Sequence, residues 1–201
     1  MGSSHSHQEL KISKFETPQK LKLISYVFLA IGLIGFIFGF LKNPERMWTS
    51  YLVSFFYFSC LGVGALFFLS FSAAAKAGWY VSIKRLAESF TAYIPYMFVT
   101  TLVLILGFKY LYAWDDPTQA HRMTGGKAIY LHPLFVTARV IIFGLGCLLF
   151  KKLIVGNSLK QDQNGDVNLT HQNVGRSIGF IAFFAIFFTL FSIDLLMSLL
   201  P

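Results

Sequence analysis

Apolar positions along the chain gather into five runs of about twenty residues, the length a helix needs to cross the hydrocarbon core of a bilayer. They cover residues 22–42, 50–72, 92–113, 131–154 and 177–200. Polar clusters separate them, and no soluble domain is visible between them. The pattern predicts an all-α integral membrane protein of about five transmembrane helices forming one domain over residues 1–201. Spans two to five are expected to form an up-and-down four-helix bundle, with span one as a peripheral helix outside it. Between spans two and three, Ile83, Leu86, Ala87 and Phe90 separate at helical spacing from Lys84, Arg85 and Glu88, which predicts a short amphipathic helix at the membrane interface. Pro95 stands at the start of span three, where its missing N–H does least harm. The runs Gly62-Val63-Gly64-Ala65 and Gly32 to Gly39 offer small residues for close helix packing.

Composition supports a bilayer environment: 55% of residues are hydrophobic and 13% charged, with a mean hydropathy of +0.61. The net charge of +8 would suggest nucleic acid in a soluble domain, but here Lys and Arg set orientation, and nucleic acid is rejected as a partner. Lys11, Lys14, Lys20 and Lys22 precede span one; Lys76, Lys84 and Arg85 follow span two; Lys151, Lys152, Lys160 and Arg176 follow span four. The alternate connections carry Lys42, Arg46, Lys109, Arg122 and Lys127. Eleven against five places the N-terminus in the cytoplasm under the positive-inside rule.

Two charges interrupt the apolar runs, Arg139 in span four and Asp194 in span five. Each lies about seven residues from one end of its run, roughly 10 Å below a membrane edge at ~1.5 Å per residue. Antiparallel spans put both at one depth toward the exported side. Charges in lipid persist when paired or when they line a cavity, and two readings stand: an ion pair clamping two helices, or a proton- or quinone-linked charge site. The exported connection adds Asp115, His121, Lys127 and His132 among aromatics. It reads either as a solvated loop with an aromatic belt, or as a docking face for an exported partner or a mouth for protons.

The search for resident cofactors gives no ligand set. Cys60 and Cys147 sit in separate spans with no metal or haem-attachment spacing and read as buried thiols. His5, His7, His121 and His171 lie outside the spans and His132 at an edge, so no facing pair exists for a b-type haem. Asp162 to Asp166 begins like a calcium loop, but its twelfth position is Asn173 rather than the required Glu. The sequon at Asn168 falls on the predicted cytoplasmic side.

Scattered signatures run through nearly the whole chain. Leu21-Lys22 and Gly32-Leu33-Ile34-Gly35 open the series, followed by Ala77-Gly78-Trp79, Arg85 and Thr91-Ala92-Tyr93-Ile94-Pro95. Trp114-Asp115, His121, Gly126-Lys127, Tyr130-Leu131, Arg139, Gln161-Asp162 and Asp194-Leu195-Leu196-Met197-Ser198 complete it. In order and spacing these resemble the F subunit of bacterial alternative complex III, among the NrfD-like quinone-interacting membrane subunits. The resemblance implies a membrane subunit of a quinol-oxidising respiratory electron-transfer complex, giving structural support and a candidate proton path. It implies no redox cofactor on this chain, quinone as the one small molecule left open, and haems and iron–sulfur clusters on partner subunits. Those partners would be a multihaem cytochrome c, an iron–sulfur protein and a sister NrfD-like subunit, with lipids around them in the bacterial inner membrane. Carried over by position, Arg139 and Asp194 would be polar residues within the first bundle, with His121 and Lys127 at its exported mouth. Family members usually carry about ten spans, so this chain looks like an N-terminal half, and Asn43 to Trp48 lacks their longer, histidine-rich insertion. The competing functions are a small-solute or ion transporter or channel subunit, and a purely structural scaffold. Transport is disfavoured by the scarcity of ionisable residues near the bilayer midplane.

Overall fold

In lipid every backbone N–H and C=O must be satisfied within its own segment, and the long apolar runs accordingly fold as helices. A computed structural model describes residues 18–112 and 125–199, with all side chains in those ranges except 127 and 128. No strand occurs among the described residues. Five helical stretches are long and apolar enough to cross a membrane, and the chain is a multi-pass all-α membrane protein.

The chain divides into two units, residues 1–43 and 44–201. The described part of the first is a single helix, α1 (Gln19–Lys42), apolar nearly throughout.

The second unit contains α2 (Pro44–Ala74), α3 (Val81–Phe90), α4 (Ile94–Leu106), the single turn α5 (Phe108–Leu111), α6 (Gly126–Tyr130), α7 (Pro133–Asn164) and α8 (Asn168–Leu195). Four of these close a ring: α2 packs on α4, α4 on α7, α7 on α8, and α8 back on α2. This is an up-and-down four-helix bundle. Its core includes Leu52, Val63, Leu66, Met97, Val140 and Phe180. Phenylalanines fill the α2, α7 and α8 side, with Phe143 and Phe191 centroids 4.6 Å apart and Phe67 and Phe184 4.7 Å apart. Some buried hydroxyls find acceptors on their own helices, as Ser70 donates to the Leu66 carbonyl at 2.8 Å and Thr101 to that of Met97 at 2.8 Å.

Several helix boundaries differ from the hydropathy reading. The α7 helix runs ten residues past 154 and α8 starts nine before 177. Hydropathy drops at Lys151 and Lys152, but helical hydrogen bonding continues, and the two extensions hold each other. Arg176 donates to the Leu153 carbonyl at 3.0 Å, Asn173 to that of Ile154 at 3.1 Å, and Gln161 to Thr170 Oγ1 at 2.7 Å. Gly165, at φ 65°, supplies the left-handed cap between them. The amphipathic α3 leads into α4 through one tight turn, Thr91–Tyr93, that keeps right-handed helical dihedrals. It turns Ile83, Leu86 and Phe90 outward and buries Ala87 and Glu88. At the far end of span three, Gly107 separates α4 from α5 because its backbone lies against Trp48, whose ring carbon would be 2.2 Å from an added Cβ.

Candidate functional site

The first turns of α7 and the last turn of α8 reach the same end of the bundle, which brings Arg139 to Asp194. Pro133 opens α7 with His132 as its N-cap, so Arg139 falls in the second turn. Asp194 is the last residue but one of α8, closer to a helix end than the apolar run to residue 200 implies. Helix α8 stops at Leu195, and a short turn, Met197–Leu199, follows, its Ser198 hydroxyl donating to the Asp194 carbonyl.

The ion pair is bidentate. Arg139 Nε donates to Asp194 Oδ2 at 2.6 Å and Nη2 to Oδ1 at 2.9 Å, a fork that matches guanidinium to carboxylate. The Asp194 side chain is fully buried and that of Arg139 is 19% exposed. Tyr130, the last residue of α6, adds two contacts to the guanidinium: its carbonyl accepts from Arg139 Nη2 at 2.9 Å, and its ring lies 4.2 Å from the guanidinium carbon. Burial, then the Asp194 charge, push the Tyr130 phenol pKa above its ordinary value. Beside the pair, the Tyr112 hydroxyl donates to the Leu195 carbonyl at 2.9 Å, tying the end of span three to α8.

A carboxylate in the last turn of a helix faces the negative end of the helix dipole. Asp194 is therefore held by Arg139, which Tyr130 backs, rather than by its own helix. Arg139 makes its contacts to the Tyr130 carbonyl and ring in addition to the carboxylate fork.

The other sequence candidates separate from this site. His132 is exposed, and its Nδ1 accepts from the Leu134 N–H at 3.4 Å, with Phe135 edge-on at 5.9 Å, so it caps α7. Lys127 lies on the backbone of α6, its side chain outside what is described. Asp115 and His121 lie outside the described residues. The described histidines, His132 and His171, stand at opposite ends of the bundle. No group of three His, Cys, Asp or Glu positioned for a metal occurs among the described residues. Cys147 is buried, and Cys60 is only partly so.

A second charged cluster emerges at the opposite end. Arg85 bridges Glu88 one turn along α3 and Asp162 near the end of α7. Arg85 and Asp162 are about half exposed while Glu88 is buried. Only the separation of 77 residues hid this partnership from a reading along the chain.

No protein-family model matches this chain, and no curated protein is similar to it.

Proposed function

We propose that this chain is a membrane subunit of a bacterial inner-membrane complex that oxidises quinol, with the N-terminus in the cytoplasm and no redox cofactor of its own. The observation that carries the reading is the buried Arg139–Asp194 pair with Tyr130 against it, a charged site of the kind that marks proton routes within membrane domains. The ordered resemblance along the sequence supplies the class of complex. In this reading, haems and iron–sulfur clusters belong to a multihaem cytochrome c, an iron–sulfur protein and a sister subunit. Arg139 and Asp194 form the chain's proton-linked polar site, with Tyr130 against the guanidinium.

A second reading is a purely structural clamp. It is favoured by the saturation of the pair, since both carboxylate oxygens are already engaged.

Purification from the native membrane in mild detergent tests the first reading through partner identification and a haem absorption spectrum. Co-purification with multihaem and iron–sulfur subunits supports it, whereas a colourless protein with no partner overturns it. Within a recovered complex, replacing both charges by Leu distinguishes the two roles: lost turnover with assembly intact indicates the proton site, and unchanged turnover indicates the clamp.

A further inference from the structure

At the end of the bundle away from Arg139, a cavity of about 380 Å³ opens between α2, α3, α7 and α8, within the roughly 300–1,000 Å³ typical of ligand pockets. Much of its wall is apolar, from Leu69, Ala73, Val81, Ile154 and Val174. Lys76 and Lys84 also line it, and neither pairs with a carboxylate among the described residues. The one carboxylate in the wall, Glu88, is already bonded to Arg85. His171, Thr170 and Gln161 complete the polar lining.

Two buried polar side chains that line this space each carry an unbonded oxygen. Ser158 is 2% exposed and Asn173 9%. The Asn173 amide nitrogen is committed to the Ile154 carbonyl, which leaves its Oδ1 unbonded, and Ser158 Oγ is unbonded as well. Burying a polar atom without a partner is costly, so two of them in one cavity indicate a ligand with both an acceptor and a donor.

Lys76 carries a separate signal. It is the one described residue other than glycine with positive φ, at 51°. It closes α2 in a left-handed cap, with Lys76 N–H bonded to the Ala73 carbonyl at 3.1 Å and Ala77 N–H to that of Ser72 at 3.0 Å. Glycine is the inexpensive residue there, yet the position holds a lysine that lines the cavity.

We infer that this cavity binds the headgroup of an anionic phospholipid of the phosphatidylglycerol type. Lys76 and Lys84 neutralise the phosphodiester, the Ser158 hydroxyl donates to one of its oxygens, and a headgroup hydroxyl donates to Asn173 Oδ1. The apolar wall takes the glycerol backbone and the upper acyl chain, which a soluble phosphate ester lacks. Basic pockets between transmembrane helices are known sites for such headgroups, and the excess of Lys and Arg assigns this end to the cytoplasmic leaflet.

The test is titration of the purified protein in mild detergent with phosphatidylglycerol, followed by native mass spectrometry and thermal melting, with phosphatidylcholine and soluble glycerol phosphate as comparison probes. One bound phosphatidylglycerol and a raised melting temperature are expected. Lys84→Gln should weaken binding about fivefold, as expected for the loss of one lysine near a lipid phosphate. Lys76→Gly should weaken it too, while raising the melting temperature without lipid because the left-handed strain is relieved. Ser158→Ala provides a second variant that keeps the helix intact and should also bind less tightly. Equal binding of phosphatidylcholine, equal stabilisation by glycerol phosphate, or unchanged affinity in both lysine variants would overturn the assignment.

Discussion

At the residue scale, the behaviour of Arg139 and Asp194 follows from their desolvation. Asp194 is fully buried and its fork to Arg139 satisfies both oxygens. Removing one partner strands the other charge, and Asp194→Leu alone should destabilise by about 3–5 kcal/mol. Replacing both at once, as Arg139→Met with Asp194→Leu, should come within about 1 kcal/mol of the parent, since an apolar pair of similar volume carries no such penalty. Thermal melting of the parent, the two single variants and the double variant in one detergent closes this cycle; a loss in the double variant equal to the sum of the two single losses would show that the pair is not coupled. Both charges were legible in the sequence because a charge inside an apolar run is conspicuous. Tyr130 and Ser198 were not, because the Tyr130 carbonyl and ring and the Ser198 hydroxyl act through positions that only the folded ends of α6 and α8 define.

At the element scale, helix existence was legible and helix extent was not. A stretch of twenty apolar residues states its own length, but α7 and α8 continue where side chains turn polar. Their extra turns are held by bonds between the helices, such as Arg176 to Leu153 and Asn173 to Ile154. Close packing also falls on glycines other than those the sequence singled out. In the Gly62–Ala65 run, a Cβ on Gly62 would meet Tyr93 at an ordinary 3.4 Å, and one on Gly64 would meet nothing. A Cβ on Gly146 of α7 would stand 2.1 Å from the Phe183 ring of α8. That ring is confined by Phe187 at 4.6 Å and Phe150 at 5.6 Å between centroids. Gly146→Ala should therefore destabilise by about 1–3 kcal/mol through overpacking, whereas Gly64→Ala should be nearly neutral. A melting comparison of the two variants checks this, and equal melting temperatures would place the tight contact elsewhere.

At the scale of the whole molecule, the 32 residues of α7 span about 48 Å against a hydrocarbon core of ~30 Å. The α7–α8 hairpin therefore extends into water at the end carrying Lys160 and Arg176. Cysteine labelling in a Cys60→Ser, Cys147→Ser background measures this. Asn164→Cys should react with a membrane-impermeant maleimide from the cytoplasmic face, and Met197→Cys, exposed at the other end of the bundle, from the opposite face. Reaction of both from one face would contradict an antiparallel bundle, and reversed faces would contradict the orientation drawn from Lys and Arg. The sequence by itself determined the class of fold, the number of spans and the two charges buried among them. These depend on local composition measured against the thickness of a bilayer, which any stretch of chain meets independently of the rest. Tertiary structure alone decided that Tyr130 backs the ion pair, that Arg85 joins Glu88 to Asp162, and that Lys76, Lys84, Ser158 and Asn173 surround one cavity. Most of these meetings join helices apart in the chain, and they depend on how four packed helices are rotated about their axes. That rotation is set by the fit of phenylalanine rings and glycines across the core, a property that no single span carries.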